Sequence, residues 1–295
     1  MAELDAIVAA TGGEAASSGL RRFAARRVAM VSLVLLIVIV AASVVGPSLW
    51  TYNYSEITPT VLAKPSWSHP MGTDQVGHDV LALVLRGAQR SLAVALIVAV
   101  LSTMIGTIVG MIAGFFGGLT DTLLMRTVDL FLMIPLLAVL GLVAVRLGGD
   151  KNGWIIVSVA ISLLFWTPTA RVIRAQVLSL KHSDFVESAR LVGASTPRIL
   201  GRHLLPHLVG PIAVVTTTYV AGAINLESTL SFLGLGVQPP DTSLGLLVGQ
   251  GLGFAGTAWW LFYLPGAAIV TIVLLIHFIG DGLQEAFTRG SGQAH

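Results

Sequence analysis

Two histidines, His203 and His207, are spaced so that they could do metal chemistry. Residues four apart share one face of a helix, and two imidazoles on one face can ligate a transition metal. Pro206 lies between them and disturbs the helix, and no third ligand is evident in the sequence. We therefore expect structural or polar roles for both histidines and no metal site in this chain.

Nucleotide and covalent chemistry need motifs that the sequence lacks. A phosphate-binding loop requires G-x4-G-K-[S/T], but Lys64, Lys151 and Lys181 are each followed by a residue other than Ser or Thr. H-E-x-x-H and G-x-S-x-G do not occur, and the chain has no cysteine. We expect no catalytic residue and no cofactor here, so any ATP that drives this protein would be bound by another chain.

Polar side chains interrupt an apolar stretch that starts near residue 208. One helical face of this stretch carries Thr218, Gly222, Asn225 and Thr229. This face predicts either the lining of a translocation path or close helix packing through small residues. Glu227 would lie about 28 Å along such a helix, near the far side of a hydrocarbon core about 30 Å thick. We expect it at the outer surface, as part of an outer gate, a partner contact or a simple interfacial carboxylate.

The composition indicates a bilayer protein. Of the 295 residues, 55% are hydrophobic and only 11% are charged, whereas about a quarter are charged in soluble domains. The net charge of +2 is too small to indicate a nucleic-acid partner.

Apolar runs predict an all-α membrane protein with six transmembrane helices and both termini in the cytoplasm. The runs are 28–45, 91–116, 119–145, 154–170, 208–226 (extending toward Gly234) and 259–279. The first run is too long for the apolar part of a signal peptide. Pro135 lies inside the third run. The predicted organisation is a mobile cytoplasmic tail (1–27), a first helix (28–50), an external segment (51–90), a five-helix core (91–288) with a cytoplasmic loop (178–206), and a C-terminal tail (289–295).

The distribution of basic residues supports this orientation. Twelve Lys and Arg residues fall in segments predicted to be inside and five in segments predicted to be outside. Arg126 and Asp129, three residues apart near the inner end of the third helix, are expected to form a structural pair.

The loop before the fifth helix predicts two short helices. Asp184 is placed to cap the first, with Glu187 reaching back to it, and Gly193 is placed to end it. Thr196 is placed to cap a second helix that ends at Pro206.

An apolar stripe of Phe185, Ala189 and Val192 follows one face of the first short helix, while Glu187 and Arg190 face elsewhere. The stripe predicts docking in a protein groove or on the membrane surface. The alternative is a linker helix that packs on its own bundle.

The same loop carries a resemblance to a known family. Glu187-Ser188-Ala189, then Gly193, then Leu205-Pro206 resembles the E-A-A-x3-G-x9-I-x-L-P signature of ABC-importer permeases. The segments HPMGTDQVGHDV, RTVDLFLMIP, SFLGLGVQPPDTSLG and GDGLQEAF resemble the C-type permease of dipeptide and oligopeptide importers. The likeness spans about residues 28–288, with His78, Leu244 and Gln284 where Arg, Trp and Arg are usual.

The resemblance implies a heterodimer with a paralogous B-type permease, two ATPase domains that bind ATP and Mg, and an extracytoplasmic substrate-binding protein. It also implies that the loop couples to an ATPase, through Asp184, Phe185, Glu187, Ala189, Arg190, Val192, Gly193, Leu205 and Pro206. The outer segment would contact the binding protein through Gly72, Thr73, Asp74 and Asp79, or would cap the outer mouth. The path would be lined by Thr218, Asn225, Thr229 and Glu227.

The sequence and the resemblance together predict a non-catalytic, multi-pass permease subunit that moves di- or oligopeptides across the bacterial cytoplasmic membrane. Import of nickel complexes, glutathione or another small solute is the alternative within the family. A stand-alone secondary transporter would need buried coupling-ion groups or inverted repeats, and the sequence shows no buried acidic pair and no clear repeat. A structural membrane scaffold is a weaker alternative.

Overall fold

The structure is a computed structural model that describes residues 21–147, 153–239 and 241–288. Residues 1–20 of the tail predicted over 1–27, the tail predicted at 289–295, and residues 148–152 between the third and fourth predicted helices lie outside the described residues. The described chain folds into α1 (Arg27–Leu49), α2 (Val80–Phe116), α3 (Gly118–Leu132), α4 (Leu136–Leu147), α5 (Gly153–Leu180), α6 (Asp184–Leu191), α7 (Thr196–Phe232), α8 (Leu244–Gly251) and α9 (Trp260–Thr288). Within these ranges the β pairing is one isolated bridge, between Thr73 and Asp79.

Five helices, α1, α2, α5, α7 and α9, are long and apolar enough to cross a membrane. A sixth span is present if α3 and α4 are taken together, although they meet at 73°. The fold is therefore the predicted all-α membrane bundle of six apolar segments.

The third span is broken, where the sequence predicted one continuous helix. α3 ends at Leu132 and α4 begins at Leu136. Pro135 has no N–H to continue the helical ladder, and the preceding residue is pushed away from helical geometry. The prediction of one helix over 119–145 with Pro135 inside it was therefore wrong.

The second helix begins at Val80, so the external segment ends well before residue 90. The Asp79 side chain caps it by accepting a hydrogen bond from the Ala82 N–H at 2.9 Å. Arg86 and Arg90 lie within its first three turns. The prediction started the helix at residue 91, because the uncharged run on which it rested begins only after Arg90. α5, α7 and α9 also extend past their apolar runs, because a helix can continue beyond the hydrocarbon core where charged residues meet water.

α2 is the central helix and packs closely on α5 through a row of glycines, Gly106, Gly110 and Gly114. A Cβ added at Gly110 would lie 2.5 Å from the Ala170 carbonyl oxygen, and one at Gly114 would lie 2.9 Å from the Arg174 carbonyl oxygen. Small residues at intervals of four let two backbones approach, which is how helices associate without a hydrophobic driving force in lipid.

Candidate functional site

The short helix α6 is capped one residue earlier than predicted. Ser183 is the N-cap, and its carbonyl accepts from the N–H groups of Val186 at 2.9 Å and Glu187 at 3.1 Å. The Ser183 hydroxyl donates instead to the Leu180 carbonyl at 2.6 Å. Asp184 and Glu187 therefore lie in the first turn, where their negative charges interact favourably with the helix dipole. The predicted capping box does not form.

Gly193 ends α6 as predicted. Its φ of 75° is in the left-handed region that favours glycine. The Ala194 N–H donates to the Ala189 carbonyl at 3.0 Å and the Gly193 N–H donates to the Arg190 carbonyl at 3.0 Å. These two bonds form a Schellman motif, which satisfies carbonyls that the helix end would otherwise leave free.

The apolar side of α6 faces its own bundle. Val186 and Ala189 are buried in a cluster with residues such as Ile173 and Leu208, from the parts of α5 and α7 that lie nearest to α6. Phe185 stacks on His207 with ring centroids 4.5 Å apart. The prediction that Phe185 and Ala189 present a docking stripe was wrong: these residues anchor α6 to the membrane helices.

The opposite side of α6 is exposed. It carries Asp184, Glu187 and Arg190, together with Leu191, which is 89% exposed, and the half-exposed Val192. The Arg190 guanidinium lies 5.2 Å from the centre of the Phe115 ring at the end of α2. The exposed side of α6 thus carries acidic, basic and apolar residues, and Leu191 is a prominent apolar residue on it that the sequence pattern did not predict.

After the turn at Gly193, α7 keeps helical geometry from Thr196 through Phe232. Ser195, rather than Thr196, is the N-cap, and the chain runs through a π-helical turn from Ile199 to Leu204. The Leu205 N–H bonds to the Leu200 carbonyl, five residues back. This wider register precedes Pro206, which has no N–H to donate, so the proline does not end the helix as predicted.

His203 and His207 lie one turn apart on α7. His203 is buried, and the His207 Nδ1 is 2.8 Å from the His203 carbonyl oxygen. Across the described ranges no three His, Cys, Asp or Glu side chains are grouped as metal ligands.

The predicted path face of α7 is exposed. Thr218, Asn225 and Thr229 are all accessible, and Gly222 is partly covered. The Thr218 hydroxyl donates to the Val214 carbonyl at 3.2 Å and the Thr229 hydroxyl to the Asn225 carbonyl at 2.7 Å. A polar strip with no cover from its own chain therefore runs along this helix.

Glu227 does not belong to that face. It is 2% exposed and accepts hydrogen bonds from Ser91 Oγ at 2.8 Å and Ser231 Oγ at 2.6 Å. The prediction of a path-lining or interfacial carboxylate was wrong, because depth along a helix does not fix the direction in which a side chain points. Glu227 instead joins α7 to α2.

Three of the four predicted external contact residues are buried. Gly72 has φ 77°, and a Cβ there would lie 2.6 Å from the Ala63 carbonyl oxygen. Thr73 and Asp79 have no exposed surface. Asp79 Oδ2 is 2.8 Å from His69 Nδ1, and Oδ1 accepts from the Trp50 indole at 3.1 Å. These residues hold together the segment 51–79, and their burial leaves them little surface for the predicted partner contact.

Asp74 is partly exposed and lines an open cleft of about 370 Å³. The cleft also includes Asp241, which receives hydrogen bonds from Arg86 at 2.8 Å and from Arg90. This ion-pair cluster joins α2 to the segment before α8. The sequence analysis missed it, because its members are more than 150 residues apart.

The inner ion pairs also differ from the prediction. Asp129 pairs with Arg171 at 2.6 Å, and Asp121 accepts from Arg174 Nη2 at 2.6 Å. Both pairs join α3 to α5, so the predicted pair within one helix, Arg126 with Asp129, is replaced by a pair between helices.

Comparison with known proteins gives two family matches. Residues 106–292 match the family described as the binding-protein-dependent transport system inner membrane component. Residues 17–65 match the N-terminal transmembrane domain of oligopeptide transport permease C.

Individual relatives align over most of the chain. A putative peptide transport system permease protein of Brucella suis is 40% identical over 268 residues, covering 90% of this chain and 88% of its own length. The oligopeptide transport system permease protein OppC of Mycobacterium bovis is 36% identical over 272 residues, covering 92% of this chain and 93% of its own length.

One solved structure is similar in fold. An inward-facing conformation of the MetNI methionine ABC transporter matches with a TM-score of 0.52 and 20% identity. The match covers 71% of this chain and 98% of that chain.

Proposed function

The chain belongs to the binding-protein-dependent transport system inner membrane components, and from that premise we propose that it is a peptide-importing permease subunit coupled to its ATPase through α6. It is a multi-pass membrane permease of an ATP-driven importer, a family whose members work with ATPase and substrate-binding partners. Its own residues bind no nucleotide and do no covalent chemistry, so ATP and Mg are held by the ATPase chains.

The observation that carries this proposal is the packing of α6, which has one buried side and one exposed side. Its inner side is fixed in the bundle by Val186 and Ala189, and its outer side is exposed around Glu187. The chain then runs through the π-helical turn into α7, the helix with the exposed polar face. A push on the exposed side of α6 would therefore reach the path face through the packed contacts of α6 and the short turn at 192–195 that joins it to α7.

The cargo is proposed as di- or oligopeptides, because relatives at 36% and 40% identity over most of the chain are named as peptide or oligopeptide permeases. The partner permease is proposed to be a paralogous B-type chain, whose own face would cover the polar strip of α7. Both termini are proposed to be cytoplasmic, as the distribution of Lys and Arg indicates.

The test is a charge reversal on the exposed side of α6. In the complete transporter reconstituted in vesicles, Glu187→Arg is expected to lower peptide uptake per ATP hydrolysed by roughly tenfold, since a charge-assisted hydrogen bond contributes about 1.5–3 kcal/mol. His182→Arg adds a positive charge at a nearby exposed position outside α6 and serves as the control. Uptake by the Glu187→Arg transporter at the rate of the control would contradict the coupling role.

A further inference from the structure

An open pocket lies at the break in the third span. Its walls come from the α3–α4 break, from α5 and from α7, and its volume is about 180 Å³. Phe131, Ile134 and Leu136 contribute from the broken span, Phe165 from α5 and Tyr219 from α7, with the rings of Phe165 and Tyr219 5.7 Å apart.

The surroundings of this pocket are too polar to face lipid. At one edge, Arg171 and Asp129 form an ion pair whose side chains are 51% and 38% exposed. Arg171 is one turn from Pro168, which lines the pocket. At the other edge, Thr218 is next to Tyr219 and begins the exposed polar strip of α7. A polar strip is costly against hydrocarbon.

The break in the helical backbone is a second reason to conclude that the pocket does not face lipid. The break lies inside the third span, between α3 and the apolar helix α4, one turn past Asp129. Met133, inside the break, is 77% exposed. Non-helical backbone inside a span is tolerated only where it is covered by protein or lines a water-filled cavity. The pocket therefore opens toward the path or the partner permease.

Apolar walls within a polar rim suit a ligand that is polar along its backbone and apolar in a side chain. Thr167 also lines the pocket, and its buried hydroxyl has no hydrogen-bond partner among the described residues. We propose that this pocket is a subsite of the translocation path that receives an apolar side chain of the transported peptide, while the polar strip of α7 faces the peptide backbone. The proposal rests on the proposed function of peptide import.

The experiment fills the pocket and measures selectivity. Ile134 is partly exposed and belongs to none of the main core clusters, so Ile134→Trp fills the space with little effect on packing. Leu137→Trp places the same ring on a neighbouring, half-exposed position that does not line the pocket, and is the matched control. Uptake of Ala-Phe-Ala and Ala-Ser-Ala is measured in the complete reconstituted transporter at saturating binding protein.

Ile134→Trp is expected to lower the ratio of Ala-Phe-Ala to Ala-Ser-Ala uptake by about tenfold, the loss that one unburied apolar side chain gives. Leu137→Trp is expected to leave the ratio unchanged, and Ile134→Phe to lower it less than Ile134→Trp. Because the ratio is taken within each variant, a lower yield of folded protein does not affect it.

Three results would overturn the assignment. An unchanged ratio in both filling variants would remove the side-chain subsite. Loss of co-purifying phospholipid from Ile134→Trp, with an unchanged ratio, would assign the pocket to a lipid chain. Failure of the unmodified transporter to import either peptide would overturn the proposed function, and the subsite with it.

Discussion

At the scale of single residues, Glu227 shows how a polar group is accommodated among apolar helices. Both of its carboxylate oxygens accept hydrogen bonds, from Ser91 on α2 and from Ser231 one turn further along α7. A buried polar group that is hydrogen-bonded costs little, whereas one left without a partner costs about 1–3 kcal/mol. The three side chains therefore act as a polar link between two helices.

Replacing Glu227 tests this link. Glu227→Ala leaves both serine hydroxyls without their acceptor and is expected to lower the free energy of unfolding by about 1–3 kcal/mol. Glu227→Gln keeps the volume and a carbonyl acceptor, and is expected to cost less than about 1 kcal/mol. The measurement is the thermal unfolding midpoint of the purified protein in detergent. Equal midpoints for Glu227→Ala and the unmodified chain would refute the link.

Residue types predicted some local features of the site and not others. The end of α6 at Gly193 was predicted, because few residues other than glycine adopt its positive φ. The roles of Thr73 and Asp79 were predicted wrongly, because burial depends on segments such as Ala63 and Trp260 that meet only in three dimensions. Leu191 was missed, because an exposed leucine has no local sequence signal.

At the scale of helices, the row of glycines on α2 sets the distance to α5. A Cβ at Gly110 would lie 2.5 Å from the Ala170 carbonyl oxygen and 2.9 Å from Ile173 Cβ. Backbone cannot move aside as a flexible side chain can, so a methyl group here forces the two helices apart.

Gly110→Ala is accordingly expected to lower the unfolding free energy by about 1–3 kcal/mol, the usual cost of overpacking. Gly266→Ala is the control: Gly266 lies within α9, and a Cβ there meets no atom within 4 Å. The control is expected to be neutral or to stabilise by up to about 1 kcal/mol, since alanine is the better helix former. The measurement is the thermal unfolding midpoint of both variants. A Gly110→Ala chain as stable as the Gly266→Ala control would contradict the close packing of α2 on α5.

The existence of the spans was predictable from long apolar runs, but their bounds and shape were not. α2 begins eleven residues before its uncharged run, because Arg86 and Arg90 are held by Asp241 and by the rings of Tyr54 and Trp154. The bend between α3 and α4 follows from Pro135, but a proline in a membrane helix is also compatible with a straight span. Tertiary contacts decide between these outcomes.

At the scale of the whole molecule, the proposed orientation places α6 in the cytoplasm and residues 51–79 outside. The natural chain has no cysteine, so single cysteines report on orientation without interference. Trp67→Cys, at a fully exposed external position, is expected to react with a membrane-impermeant maleimide in intact cells. His182→Cys, just before α6, is expected to react only after the cells are permeabilised. The opposite pattern would invert the topology and remove α6 from any cytoplasmic partner.

The central claim is that the exposed side of α6 contacts the ATPase. The most direct measurement places a photo-crosslinking amino acid at Leu191, which is 89% exposed on that side, with the same amino acid at Trp67 as the external control. In the complete transporter, the account predicts an adduct between Leu191 and the ATPase chain whose yield changes when ATP is added, and no such adduct from Trp67. An absence of ATPase adducts from Leu191, in a transporter that still imports peptide, would contradict the account.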